Sequence, residues 1–171
     1  MPEQGGYSIS GEGSTGYATP HGAANDNVEQ MVTRIARLAS AMLHAPIAMV
    51  LWYGPDGQHW HGAVGLPATD VPQLGAWLSA VGPQLLMARA PLKLAAVQAH
   101  PPALLAGELR DGILTPLLDG GVLRGVIGVF ADGVLAWDGM FAALDDLAAL
   151  AQAALSPPNR LSQMDWYVQA S

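Results

Sequence analysis

The sequence predicts one α+β domain, built from a helix, a β-hairpin, an irregular middle region, a second hairpin and a closing helix. Apolar residues recur at helical spacing near both ends of the chain, within residues 28–42 and 141–155. Between them lie two pairs of β-rich apolar runs, and a glycine-containing turn joins each pair. Of the 171 residues, 51% are hydrophobic and 12% charged, which is enough apolar material for one core.

The two ends of the chain differ from this central domain. Residues 1–26 are rich in Gly, Ser, Thr and Pro, so they cannot bury enough apolar surface to offset their ordering entropy. We expect them to form a disordered tail. The domain is assigned to residues 27–156, and residues 157–171 are assigned to a C-terminal tail.

The first half of the domain begins with an amphipathic helix and a hairpin. Asp26 or Asn27 can cap the helix, and Pro46 stops it. The apolar run 47–53 is the first strand, a Gly-Pro-Asp-Gly turn follows, and residues 58–64 form the second strand. The spacing therefore predicts a helix that leads directly into two antiparallel strands.

The middle of the chain has weaker signals. Residues 70–80 read as a short helix with a proline in its first turn, and the Gly-Pro pair at 82–83 interrupts it. A strand is possible at 92–97. The Pro-Pro pair at 101–102 can start another helix.

The last part of the domain consists of a second hairpin followed by a helix. Residues 113–118 and 122–130 are predicted strands joined by the tight Asp-Gly-Gly turn at 119–121. Asp138 is expected to cap the final amphipathic helix, which ends at about residue 155.

The segment ILTPLLDGGVLRGVIGVFADG, from Ile113 to Gly133, resembles the late hairpin of GAF domains. In that family an apolar strand with an internal proline, here Pro116, turns into a strand with two spaced glycines, here Gly125 and Gly128. The first helix with its strand and the closing helix also resemble the family, over about residues 28–155. PAS-like domains share the plan but lack the long flanking helices.

The resemblance implies a twisted antiparallel sheet with the N- and C-terminal helices on one face. Short helices and loops would cover a ligand pocket on the other face. The function it implies is a non-catalytic sensor of a small molecule, dimeric and signalling through a partner protein; the lack of a signal peptide and of a membrane span predicts a cytoplasmic location. The alternative is a degenerate GAF domain that acts as a protein–protein interaction scaffold without a ligand. The wall strand lacks the aspartate found in many members, since it reads Leu94-Ala-Ala-Val-Gln98.

Composition excludes several chemistries. Without cysteine the chain has no thiol for a covalently bound bilin or for thiol-dependent methionine sulfoxide reduction, two activities of GAF relatives. A net charge of −7, with seven basic residues, argues against nucleic acid and anionic membranes as partners.

Residues 1–27 lack the features of a signal peptide, and no apolar run approaches the roughly 18 residues of a membrane span. No Ser-His-Asp arrangement, phosphate-binding loop or His-Glu-x-x-His helix is found, so we expect no enzyme activity.

Two sets of candidate binding residues follow. Tryptophans can stack a planar ligand, and polar residues near the predicted strand 113–118 can reach the polar groups of that ligand. The candidate ligand-binding residues are Trp60, Trp77, Leu94, His100, Arg110 and Thr115. In the C-terminal tail, an aromatic cluster after a Pro-Pro break can anchor a protein partner or fold back on the domain. It comprises Met164, Trp166 and Tyr167.

The histidines allow two weaker hypotheses. His59 and His61 alternate with Trp60 on a predicted strand, so both imidazoles are expected on one face of the sheet. They could bind a metal ion only with a third ligand, such as His100 or Asp70. Haem ligation through a histidine is a second possibility, but the scattered candidates identify no single ligand. We therefore assign neither a metal nor a cofactor.

Overall fold

The computed structural model describes residues 20–54, 57–100, 102, 109, 111–135 and 139–156. The described residues form three α-helices and five strands. The helices are α1 (Pro20–Leu43), α2 (Val71–Ala88) and α3 (Met140–Leu155), and the strands are β1 (Ile47–Tyr53), β2 (His59–Val64), β3 (Leu92–Lys93), β4 (Asp111–Asp119) and β5 (Val122–Ala131).

The strands form one antiparallel sheet in the order β2-β1-β5-β4-β3. The last hairpin brings β5 into the centre, where it pairs with β1 on one side and β4 on the other. Its turn consists of Gly120 and Gly121, whose φ angles are +58° and +85°. Two consecutive positive φ angles are the geometry of the tight hairpin turn that the Asp-Gly-Gly sequence predicts.

Helices cover both faces of the sheet. We call the surface under α1 and α3 the α1–α3 face, and the surface under α2 the α2 face. Alternate side chains of β1 separate the two cores: Val50 and Trp52 pack with α1 and α3, whereas Met49 and Leu51 pack with α2. The predicted α+β architecture is confirmed, including the pairing of the first and last helices on one face. Within the described residues, no helix is long and apolar enough to span a membrane.

Helix α1 begins six or seven residues earlier than the sequence indicates, so residues 20–26, assigned above to the tail, are helical. It starts at Pro20 rather than at Asp26 or Asn27. Proline suits the first turn of a helix, because the first amide groups have no intrahelical acceptor. The helix lies very close to β2 at Gly62, where a β-carbon would overlap the backbone of Val32 and Thr33.

Helix α2 continues through the Gly-Pro pair that was expected to end it. Pro83 lies inside the helix, which runs on to Ala88. An interior proline costs about 3 kcal/mol. The continued helix keeps Leu85 fully buried and brings Gln84 into hydrogen bonds with the segment after β3, and these contacts offset that cost.

The segment 92–97 is a strand over only two residues. Leu92 and Lys93 pair with β4, and Leu94–Ala96 form a 3₁₀ turn. The side chain of Gln84 explains the change, because it donates to the Ala96 carbonyl at 2.8 Å and accepts from the Gln98 amide at 3.0 Å. These bonds hold the chain against α2 instead of along β4.

Three predicted features fall on residues that the structure does not describe. The helix expected after the 101–102 pair falls on residues the structure does not describe, and so does Asp138. The N-cap position of α3 is occupied by Gly139, at φ +81°. The C-terminal tail from residue 157 is likewise outside the described part.

Candidate functional site

The predicted ligand-binding residues are divided between the two faces of the sheet. Trp60 lies opposite Trp52 in the β1–β2 register and packs against the core of the α1–α3 face. Trp77 belongs to α2 and packs into the core of the α2 face. Because the sheet separates them, the two tryptophans cannot stack one ligand, and the expectation that they line a common pocket is corrected.

Thr115 is on the same side as Trp60. Its neighbours Ile113 and Leu117, two residues away along β4, belong to the core of the α1–α3 face. Of the other candidates, Leu94 is half-buried against the α2 face and His100 is exposed. Arg110 and the partner-binding trio Met164, Trp166 and Tyr167 lie outside the described residues.

The α2 face, where the resemblance places the ligand pocket, is closely packed. A β-carbon added to Gly75 would lie 2.7 Å from Nε2 of His61, and one on Gly82 would lie 3.0 Å from a methyl carbon of Leu123. Both glycines are buried within α2, seven residues apart. The helix therefore contacts strand side chains along two turns, and a ligand layer does not separate them there.

Phe130 fills the centre of this face. Its ring lies over two glycines of the sheet, because β-carbons on Gly112 and Gly128 would come within 2.8 and 2.9 Å of ring atoms. The ring centroids of Phe130 and Trp77 are 6.3 Å apart at an interplanar angle of 54°, a tilted aromatic contact. The space that the two glycines open above the sheet is occupied by the protein's own side chain.

Sequence reasoning missed Phe130, although a signal for it exists. In β5 the residue alternates with Gly128 on one face, and a large ring beside a glycine is a common way to fill the space that the missing side chain leaves. What the alternation could not show is which face α2 would cover.

The segment after β3 covers one side of α2. In addition to the two hydrogen bonds of Gln84, the indole N–H of Trp77 donates to the Ala99 carbonyl at 3.4 Å. Leu94, Val97 and Ala99 pack half-buried against the core below. These contacts give Trp77 a structural role in which its ring is buried and its polar group has a partner.

His59 and His61 do lie on one face of the sheet, as the strand alternation predicts. They are opposite Tyr53 and Leu51, on the α2 face. His59 is exposed and stacks edge-on against Tyr53 at 5.0 Å, while His61 is half-buried below Gly75. Within the described part of the chain, no three His, Asp or Glu side chains are grouped so that they could hold a metal ion.

Burial shifts the titration of His61. Desolvation lowers the pKa of its imidazole, and the nearby His59 lowers it further. In the unfolded chain the pKa is about 6.5. As the pH falls below that value, the unfolded state takes up a proton before the folded state does, so the stabilising contribution present at neutral pH is lost.

We expect the free energy of unfolding to fall more between about pH 7.5 and about pH 5.5 in the wild type than in His61→Gln. Urea titrations at the two pH values measure the difference. His59→Gln is the matched variant, and it should keep most of the wild-type decline because desolvation is the larger cause. An equal decline in wild type and His61→Gln would contradict the assignment.

Three surface pockets lined by described residues involve α3. One of about 630 Å³ lies where α1 ends and α3 begins, around Met42, Val134 and Met140. Another of about 350 Å³ lies at the opposite end of the helix pair, between Met31 and Leu155. The third, of about 210 Å³, lies beside Thr115. The first two show that α1 and α3 run antiparallel to each other.

Comparison with known proteins shows likeness in structure but not in sequence. No protein-family model and no curated protein matches the chain by sequence. A GAF domain/HD domain protein from Geobacter sulfurreducens is similar in structure, with a TM-score of 0.58, 17% identity, and coverage of 75% of this chain and 92% of that one. A GAF domain from Synechocystis, solved in its photoproduct state, has a TM-score of 0.54 at 15% identity and covers 83% and 99%.

An enzyme is also among the similar structures. The type II free methionine-R-sulfoxide reductase of Thermoplasma acidophilum matches with a TM-score of 0.53 at 10% identity, over 77% of this chain and 92% of that one. At identities this low the likeness establishes the fold alone. The chain has the fold of GAF domains, as its sequence predicts, and an enzyme also has this fold.

Proposed function

We propose that this protein is a non-catalytic regulatory domain that acts by binding another protein surface, in the first instance a second copy of itself. The observation that carries the proposal is the packed α2 face. Phe130 occupies the region above Gly112 and Gly128, Trp77 packs against Phe130, and α2 contacts the strands directly. This packing supports the scaffold hypothesis over that of a sensor with its ligand under α2.

The absence of cysteine supports a non-catalytic role. The reductases of this fold depend on cysteine thiols, and this chain has none to take over that chemistry. The two histidines on the α2 face, His59 and His61, do not supply a substitute, because an imidazole cannot be oxidised to a disulfide as two thiols can.

The outer surface of the α1–α3 pair is the face we assign to the partner. Leu38 and Met42, one turn apart on α1, are 41% and 45% exposed, and Leu150 of α3 is 54% exposed. The exposed neighbours of Leu150 on α3 are Ala149, Ala153 and Ala154, with the carboxylate of Asp146 one turn earlier. Small side chains allow close approach of another helix, and leucine and methionine supply apolar area, so the surface suits helix–helix packing between two copies.

Substituting Leu150 by glutamate tests this surface. We expect Leu150→Glu to weaken self-association by about 2 kcal/mol or more, roughly thirtyfold, because it places a charge in an apolar contact. Light scattering coupled to size-exclusion chromatography, over a range of protein concentrations, measures the change.

Met87→Glu is the matched control, since Met87 is 87% exposed on α2 and lies outside the proposed surface. It should leave the association unchanged. A wild-type protein that is monomeric at every concentration would overturn self-association. Equal effects of the two variants would show that the contact does not involve the proposed surface of α1 and α3.

A native mass spectrum of the gently purified protein separates the proposal from the sensor hypothesis. The scaffold hypothesis predicts a dimer without a tightly bound additional mass. A dimer carrying a defined extra mass that Trp77→Ala abolishes would support a small-molecule sensor with its site on the α2 face.

A further inference from the structure

Helices α1 and α3 each carry one row of exposed side chains along the outer surface. Residues four positions apart lie one above the other on a helix, so each row follows a single helix face. The row on α1 is Gln30, Arg34, Leu38 and Met42, and the row on α3 is Ala142, Asp146, Leu150 and Ala154. All of these side chains are exposed, whereas the opposite sides of both helices are buried against the sheet.

The two rows have the same order of charge and leucine. Along the chain, Arg34 precedes Leu38 by four positions on α1, and Asp146 precedes Leu150 by four positions on α3. When the two helices are laid parallel with leucine beside leucine, the guanidinium therefore falls beside the carboxylate. One alignment satisfies the apolar contact and the charge pair together.

The outer positions of the rows fit the same alignment. Met42 falls beside Ala154, and Gln30 falls beside Ala142. Each long side chain thus meets a short one, which lets two helices approach closely along their whole contact.

The helices of one copy cannot make this contact with each other, because α1 and α3 run antiparallel within the domain. A two-fold axis normal to the plane of the two helices reverses both directions. It places α1 of one copy over α3 of the other, in parallel, and it forms the contact twice. Pairing α1 with α1 would instead bring Arg34 and Arg37 close to the same arginines of the second copy. Pairing α3 with α3 would do the same for Asp145 and Asp146.

We propose that two copies associate through this four-helix contact, in which α1 of each copy packs along α3 of the other. Leu38 lies against Leu150, and Arg34 pairs with Asp146, at two equivalent positions. The proposal rests on the self-association proposed above and adds its register. The charges act mainly as a selector, because the alternative pairings place like charges together.

Charge reversal tests the pairing. We expect Arg34→Glu and Asp146→Arg each to weaken self-association at least about tenfold, because each variant brings like charges together twice per dimer. The variant with both changes should return to within about threefold of wild type. An equal mixture of the two single variants should form heterodimers in preference to either homodimer. Sedimentation velocity over a range of concentrations measures the affinities, and native mass spectrometry with one variant isotope-labelled identifies the heterodimer.

Arg37→Glu is the matched control. Arg37 is exposed on α1 but lies outside the row, so the same change of charge there should leave the affinity within about threefold of wild type. Asp146→Arg provides a second control on general repulsion between copies. It brings the net charge of −7 closer to zero, so a weaker dimer in that variant must come from the local pairing.

Single cysteines report the register directly, because the chain has no cysteine of its own. Under mild oxidation, a mixture of Leu38→Cys and Leu150→Cys should form a disulfide between the two variants, since a disulfide requires the two positions to face each other closely. Either variant alone should form much less of a disulfide-linked dimer.

The outcomes separate this arrangement from self-association itself. A wild type that stays monomeric at every concentration would overturn both. A wild-type dimer would leave self-association standing, but the arrangement would be wrong if the two charge reversals associate as tightly as Arg37→Glu, or if the double variant stays as weak as the single ones. Disulfides that form within Leu38→Cys alone in preference to the mixture would also overturn it, because they would place α1 against α1.

Discussion

Replacing Trp77 by alanine is expected to lower the free energy of unfolding by about 3–5 kcal/mol, the usual cost of removing a buried tryptophan from a core. The indole is buried, contacts Phe130, and donates a hydrogen bond to Ala99. Removing it opens a cavity between α2 and β5 that neither element can close without moving. Urea unfolding followed by far-UV circular dichroism measures the loss.

Met87→Ala is the matched control on the same helix. Its side chain is exposed, so its removal should change the free energy of unfolding by no more than about 0.5 kcal/mol. If Trp77→Ala costs little more than this control and the purified wild type releases a small molecule that the variant does not hold, the α2 face is a ligand site and the packed-face interpretation is wrong.

A methyl group at Gly62 should have the second large effect. In Gly62→Ala the new β-carbon would overlap the carbonyl carbon of Val32 and the amide nitrogen of Thr33. Helix backbone cannot rotate away as a side chain can, so α1 must shift as a unit over β2. We expect a loss of about 1–3 kcal/mol or more, measured by thermal and urea unfolding.

Gly133→Ala is the comparison for this substitution. A β-carbon there meets nothing within 4 Å, and the residue follows β5 in a surface bend. It should be neutral or slightly stabilising, because alanine restricts the unfolded chain. Similar losses in the two variants would show that α1 does not approach β2 as closely as Gly62 indicates.

The order of the elements could be predicted because local patterns determine it. Helical spacing identified α1 and α3, and the two glycine turns identified the hairpins. The strands β1, β4 and β5 agree with the predicted runs to within two residues, because each is bounded by residues with strong turn preferences.

Interactions between elements decided the features that could not be predicted. Pro83 is a helix breaker by local preference, but the burial of Leu85 and the hydrogen bonds of Gln84 keep α2 helical around it. The same two bonds shorten β3. Gln84 shows no special pattern in the sequence, since its partners lie 12 and 14 residues away along the chain.

The prediction that Trp60 and Trp77 line one ligand pocket was wrong for a related reason. Strand alternation correctly placed His59 and His61 together and therefore put Trp60 on the other face. Joining Trp60 to Trp77 required knowing which face α2 covers, and only the tertiary packing determines that. Thr115 and Arg89 approach one pocket although 26 positions separate them, so no local motif could have linked them.

The shortness of β3 also affects the tendency of the folded protein to aggregate with other chains. Within the described residues β3 pairs only with Ile113 and Leu114, so the rest of β4 has no strand beside it on that side. An uncovered strand edge invites pairing with another chain and can nucleate aggregation. Pro116 lies in this stretch, and a proline in a strand is accommodated where its nitrogen faces an unpaired side. Thr115 and Pro116 are buried beside the segment 89–91, and the proline nitrogen offers no hydrogen, so the covering segment and the proline together keep another chain from adding a strand at this edge.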